Sequence, residues 1–167
     1  MNIETLVAEN NLMALTALVA DFNSAYAQVL DDGSLKDWPQ FFTADAVYKI
    51  TSRENFDQGR PVGLVYCDGL SMIKDRALAI DYTAMFAPRY LRHFITNTRV
   101  EKIESNELVV SANYMLMQTL QDKPEARVHQ VGKYMDRFSI EGGRLQLKQR
   151  ICVYDNTLLD NSLVYPV

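Results

Sequence analysis

The hydrophobic pattern of this chain changes its period once, and that change constrains the fold more than any other feature. Up to about residue 86, apolar residues recur three or four positions apart, as on one face of a helix. From Tyr90 onward they alternate with polar residues, as in half-buried strands. Helices followed by a run of strands indicate an α+β protein with its helices packed on a mainly antiparallel sheet.

A long amphipathic helix is predicted over residues 6–30, ending where Gly33 can adopt the left-handed conformation. A short helical turn around Trp38 follows, then a strand over residues 46–51 and a loop or edge hairpin over residues 52–63. The predicted buried stripe of this helix consists of Leu12, Leu15, Val19, Phe22, Tyr26 and Val29.

A second long helix is predicted over residues 69–86, with Asp68 as its N-cap and Pro88 as its terminator. Four alternating segments follow, separated by turn signals at residues 105–106, 122–124 and 141–143. A strongly twisted sheet wrapped around the first helix would bury both apolar sets, which predicts a cystatin-like cone formed by residues 1–167 as one domain. The stripe of the second helix consists of Leu70, Ile73, Ala77, Ile80 and Ala84.

Charge and composition exclude several classes of protein. A net charge of −4 argues against nucleic acid as the main partner, because phosphate binding requires a basic surface. No apolar run approaches the roughly 20 residues of a membrane span, and the first residues lack the pattern of a signal peptide. Two cysteines in such a chain are expected to be reduced, and we expect a cytoplasmic protein.

Several segments, taken in order, resemble the small (beta) subunits of aromatic-ring-hydroxylating dioxygenases. They are WPQFFTADAVY at residues 38–48, RHFITN at 92–97, DRF at 136–138 and QRI at 149–151. Residues 54–57 and 88–90 are most similar to small subunits of enzymes that act on aromatic acids such as anthranilate, salicylate, benzoate or terephthalate.

The resemblance implies a structural subunit of a multicomponent oxygenase in aromatic-compound catabolism, with no catalytic, cofactor-binding or metal-binding residue of its own. A large (alpha) subunit would carry a Rieske [2Fe–2S] cluster and a mononuclear non-haem iron. The family implies a hexamer of three large and three small chains, with the small chains forming a trimer. Electrons would arrive from a reductase, in some systems through a ferredoxin.

The residues themselves argue against a metal centre in this chain. A Rieske site needs closely spaced Cys and His pairs, but neither Cys67 nor Cys152 has a histidine two or three residues later. A mononuclear iron site would have to use His93 and His129, the two histidines of the chain. Local hydrogen bonds or subunit contacts are the simpler role for both.

A stand-alone isomerase, dehydratase or small-ligand-binding protein remains the alternative. Such a pocket inside a cone would use an acid or base with a hydroxyl donor, and its pKa values would be shifted by burial. Asp136 would need a partner if buried, and Arg150 or Arg99 on neighbouring strands could supply it. The candidates for this pocket are Asp45, Tyr48, His93, Tyr134 and Asp136.

Subunit contacts are predicted at the start of the first alternating segment and at the tail. Arginine pairs with carboxylates and stacks on aromatic rings, so Arg92 and Arg99, with His93, are candidate interface residues. The tail is apolar up to its last residue, Val167, and it includes Leu163, Val164 and Tyr165. This tail is expected either to dock on another chain or to fold back on its own sheet.

Overall fold

The computed structural model describes residues 2–83, 85–159 and 165–167. The predicted stripe residue Ala84 and the tail residues Leu163 and Val164 lie outside these ranges. In the part described, helix α1 spans Ile3–Ala8, α2 Leu12–Asp31, α3 Arg53–Asp57 and α4 Leu70–Tyr82, and a 3-10 turn covers Trp38–Phe41.

The described residues form one sheet of six strands. The strands are β1 Phe42–Ser52, β2 Val65–Asp68, β3 Arg89–Glu104, β4 Glu107–Leu120, β5 Ala126–Glu141 and β6 Arg144–Tyr154. Their order is β2-β1-β6-β5-β4-β3, and β1 pairs with β6 in parallel while the other neighbours are antiparallel. The α+β cone expected from the sequence is confirmed: α2 packs on the inner face of the sheet, most extensively against β3.

The single N-terminal helix of the prediction is wrong, because the segment divides into α1 and α2. Asn10 has a φ of 52°, which a helix cannot contain, and the Asn11 side chain accepts a hydrogen bond from the Ala14 amide at 3.1 Å as the N-cap of α2. Gly33 has a φ of 73° just after α2, as predicted for its end.

The second long helix is shorter than predicted, and its cap is different. Asp68 does not cap it: this residue ends the edge strand β2, which the sequence did not reveal, and Gly69 occupies the N-cap position with a φ of 87°. The helix ends at Tyr82, before Pro88 can act on it. The predicted loop over residues 52–63 also contains the short helix α3.

The long strands alternate as predicted until bulges shift the alternation. In β5 an extra residue at His129 leaves both His129 and Gln130 buried, while Val128 faces out. In β6 a shift opposite Arg137 and Phe138 turns Arg150 inward, away from the face assigned to it by strict alternation. These two irregularities decide which side chains reach the interior.

No helix in the described ranges is long and apolar enough to cross a membrane.

Candidate functional site

The predicted pocket residues divide between the interior of the cone and its surface. Tyr48, Tyr134 and Asp136 are fully or almost fully buried on the inner face of the sheet. Asp45 is exposed instead, and its carboxylate accepts a hydrogen bond from the Thr43 hydroxyl at 2.8 Å. That hydrogen bond holds the pKa of Asp45 below its usual value. Asp45 is therefore not brought together with the interior residues.

Asp136 is paired in the core with Arg150, one of the two partners predicted for it. Arg150 Nε and Nη2 donate to the two carboxylate oxygens of Asp136 at 3.1 and 2.8 Å. Nη2 also donates to the Asn23 side-chain oxygen at 2.6 Å, and both charged side chains are fully buried. Burial raises the pKa of Asp136, and the Arg150 guanidinium opposes this shift.

Two tyrosines enclose the guanidinium of Arg150. Its carbon atom Cζ lies 4.2 Å from the ring centroid of Tyr26 and 4.0 Å from that of Tyr134. Such stacking replaces water around a buried cation by aromatic faces. The ion pair is thus neutralised, hydrogen-bonded and covered, which is the arrangement of a core element and leaves no face of the carboxylate for a substrate.

The C-terminal residue of the sequence fills the space between α2 and the inner face. The Val167 amide donates to the Tyr48 hydroxyl oxygen at 2.8 Å, and a Val167 oxygen accepts from the hydroxyls of Tyr26 and Tyr48, each at 3.2 Å. The indole of Trp38 donates to Tyr26 at 3.0 Å. Val167 is fully buried in this position, as the folded-back alternative for the tail predicts, while residues 160–164 lie outside the described ranges.

Burial also sets the ionisation of these hydroxyls. It raises the pKa of Tyr26, Tyr48 and Tyr134 above the ordinary value of 10.0, while Arg150 lowers the pKa of Tyr26 and Tyr134 in opposition. The three phenols are neutral near pH 7. Tyr26 and Tyr48 form hydrogen bonds inside the cone, whereas Tyr134 stacks on Arg150 and Tyr114.

His93 forms a separate pair with Asp31, the last residue of α2. The His93 ring atom Nδ1 lies 2.7 Å from Asp31 Oδ1, and the His93 amide donates to both oxygens of this carboxylate at 3.1 Å. The His93 side chain is fully buried, and its Nε2 atom has no hydrogen-bond partner. The pair lines a cleft of about 440 Å³ between α2 and β3, together with Asn23 and Arg92.

Asp31 and Asn23 are the two polar residues that the sequence argument missed. Asn23 follows Val19 by four residues and lies on the buried stripe, so a polar residue at an apolar position was a usable signal. Asp31 gave no comparable signal, because its contact with His93 joins residues 62 positions apart.

The predicted interface residues have different surroundings. Arg92 and Arg99 are exposed on β3, and Arg92 donates to the main-chain oxygen of Leu91 at 2.9 Å. Tyr165 is half-buried and packs edge-on against Phe86, with ring centroids 5.1 Å apart. Among the described residues, no group of three or more His, Cys, Asp or Glu side chains is placed to hold a metal ion.

The described residues form a small α+β cone whose interior is filled by its own side chains. The family model for the ring hydroxylating beta subunit matches residues 25–161, and the chain belongs to this family.

Individual relatives agree with this assignment. The chain is 30% identical over 149 residues to subunit beta 2 of the terminal oxygenase component of terephthalate 1,2-dioxygenase from Comamonas sp., covering 89% of this chain and 96% of the relative. It is 30% identical over 142 residues to the anthranilate 1,2-dioxygenase small subunit of Burkholderia cepacia, covering 85% and 88%.

A solved structure gives the same result. A chain from Novosphingobium aromaticivorans DSM 12444, assigned as the beta subunit of an aromatic-ring-hydroxylating dioxygenase, superposes with a TM-score of 0.82 at 36% identity. The match covers 92% of this chain and 96% of the other. The resemblance stated from the sequence motifs is therefore confirmed.

Proposed function

We propose that this chain is the small subunit of a multicomponent Rieske oxygenase that hydroxylates an aromatic acid, and that it has no catalytic activity of its own. The closed interior is the observation that supports the proposed lack of catalytic activity. Asp136 is covered by Arg150, and the tail residue Val167 occupies the centre beside Tyr48. A substrate would have to displace these contacts to reach an acid or a base.

The partner in this proposal is a large subunit that holds the Rieske cluster and the mononuclear iron. The small chain contributes preorganisation: it holds large subunits so that their metal centres are correctly spaced for electron transfer. We propose three large and three small chains per complex, a trimer of small chains within it, a reductase as electron source, and a cytoplasmic location. Membership of the beta subunit family supports this role.

Terephthalate and anthranilate in the names of two relatives support an aromatic acid as substrate. The test is reconstitution of this chain with the large oxygenase subunit from the same genome and with its reductase. Oxygen consumption is then measured with benzoate, anthranilate, terephthalate and salicylate, and with naphthalene as the uncharged control. We expect turnover of an acid by the complex and none by this chain alone. Turnover of naphthalene but of no acid would contradict the substrate class.

The Asp31–His93 pair is the observation that favours the alternative of a stand-alone isomerase or dehydratase. A histidine held by a carboxylate, with its other nitrogen free, is a usual general base. Against this role, the His93 side chain has no exposed surface, so the free nitrogen cannot meet a substrate without movement of α2 or β3. We therefore propose that the pair joins the end of α2 to β3.

The variant His93→Gln separates the two roles. If His93 joins α2 to β3, the substitution should lower stability or complex assembly, while the product regiochemistry of the assembled oxygenase stays the same. A change in product with an intact complex would contradict the structural role.

A further inference from the structure

The outer sheet face, which we define as the outward side chains of residues 89–96, 113–120 and 126–133, contains a group of exposed apolar residues. Phe94 pairs across the strands with Met115, which pairs with Val131, and the three form one row. The next row contains Arg92, Met117 and Val128. Phe94 is 50% exposed, Val128 49% and Val131 39%. Neighbouring strands lie about 4.8 Å apart, so these side chains form a continuous patch.

The charges around this patch have one sign. The outward side chains of the three segments include Arg92 and Lys133 but no aspartate or glutamate, although the whole chain has a net charge of −4. Within the described residues, Arg92 and Lys133 form no ion pair with a carboxylate side chain.

Carboxylates that approach the edge of the face are already engaged. Asp31 is paired with His93, and Asp155, whose amide donates to the Val131 carbonyl, is bound by Arg53 at 2.6 Å. The basic charge of the face is therefore not neutralised by these neighbours.

A cleft beside the patch offers a place for an anchoring side chain. It has a volume of about 380 Å³ and lies at the edge of the sheet. Val128 lines it from the outer face, Lys123 and Glu125 from the preceding turn, and Gln118 and Arg127 from the opposite face. Interfaces derive most of their energy from a few side chains that fill such clefts near an apolar centre.

The chemistry of the face identifies its partner. Two copies of this face packed on each other would bring like charges together, because the charged outward side chains of its three segments are Arg92 and Lys133. A second copy could offer its acidic N-terminal helices, but Glu4, Glu9 and Asp21 lie outside residues 25–161, which the family model matches. The outer sheet face lies wholly inside the matched residues, as expected for a surface that serves the partner shared by the family.

We infer that the outer sheet face docks the large oxygenase subunit, on an apolar surface of that subunit with a carboxylate rim. This inference rests on the proposed function. The apolar row Phe94–Met115–Val131 would supply contact area, and Arg92 and Lys133 would supply orientation and partner choice.

The test measures the affinity of this chain for the large subunit of the same genome by titration on a biosensor surface. The double variant Phe94→Glu with Val131→Glu places carboxylates in the apolar centre and should weaken binding by at least roughly 30-fold. The matched control is Leu78→Glu with Tyr82→Glu on α4, where the side chains are 54% and 81% exposed. The control should bind as the wild type does. Circular dichroism and thermal unfolding verify that both variants fold.

Lys133→Glu is a milder second variant for the case in which the double variant does not fold. It should weaken binding about tenfold and reduce the dependence of affinity on salt, because one attractive charge is reversed. Lys133→Arg should preserve both.

Each outcome decides between the two proposals. If the wild type captures no large subunit, the proposed function falls and the docking inference falls with it. If the wild type binds and the double variant binds equally well, the docking inference is overturned while the proposed function stands. Equal losses in the α4 control, or a variant that changes only self-association of this chain, would also overturn it.

Discussion

The charged side chains of Asp136 and Arg150 on the inner face of the sheet are buried and paired with one another, whereas the outer face of β3, β4 and β5 leaves apolar and basic side chains exposed. Inside, Arg150 is held by Asp136, Asn23 and two tyrosine rings, and Val167 is bound by Tyr48. Outside, Phe94 and Val131 are exposed beside Lys133. A sheet with a closed inner face and exposed apolar side chains on its outer face is typical of a chain that binds a partner. Substitutions on the two faces should therefore separate stability from binding.

The largest loss of stability is expected from Asp136→Ala. The substitution leaves the buried Arg150 guanidinium without its counter-ion, which costs about 3–5 kcal/mol of unfolding free energy. Urea unfolding at pH 7 measures it. The double variant Asp136→Leu with Arg150→Met, which replaces the pair by apolar side chains, should recover most of the loss. A cost below about 1 kcal/mol for Asp136→Ala would show that the pair is not the core element described.

A smaller loss is expected from Tyr48→Phe. Removing this hydroxyl leaves the buried Val167 amide without an acceptor, at a cost of about 1–3 kcal/mol. The control is Tyr66→Phe on the edge strand β2, where the ring is 52% exposed and a change below about 0.5 kcal/mol is expected. Equal effects in thermal unfolding of the two variants would mean that the tail does not stabilise the interior.

A pH-dependent but modest effect is expected from Glu107→Gln on the outer face. Lys148, at 2.6 Å, and Arg137, at 2.9 Å, hold the pKa of Glu107 below its ordinary value of 4.5. The interaction therefore stabilises the fold above pH 4.5 and is lost as the pH falls through the lowered pKa.

Because Lys148 and Arg137 are 42% and 38% exposed, the expected cost at pH 7 is only about 0.5–1 kcal/mol. Urea unfolding of wild type and variant at pH 7 and near pH 3 gives the comparison. A difference that persists or grows in acid would contradict the assigned sign.

The smallest effect on stability is expected from Val131→Thr in the exposed row. The side chain keeps its shape and is already partly in water, so the unfolding free energy should change by less than about 0.5 kcal/mol. The affinity of the Val131→Thr variant for the large subunit should nevertheless fall. A stability loss above about 1 kcal/mol, with unchanged binding, would mean that Val131 stabilises the fold and does not contact the large subunit.

The sequence was sufficient for features that depend on local periodicity. The change of period near Tyr90 predicted the helices and long strands. The need of a buried Asp136 for a cation led to Arg150 or Arg99 as its partner, and the structure shows Arg150. The break at Asn10 was missed because an apolar stripe on both sides of one residue looks continuous. The extra residue at His129 was missed because a bulge shifts every later side chain without changing the composition.

Long-range contacts limited the prediction of the site. The parallel pairing of β1 with β6 joins the first strand to the last, and no turn signal connects them. Likewise, the burial of Val167 beside Tyr48 joins residues 119 positions apart, so an apolar tail alone could not distinguish a partner from the chain's own core.

The most direct test of the account is light scattering with iron analysis on this chain, purified alone and co-expressed with the large subunit from the same genome. The account predicts a co-purified complex with the mass of three large and three small chains, in which iron is found only when the large subunit is present. A chain that remains a monomer or dimer beside its partner, or that binds iron alone, would contradict it.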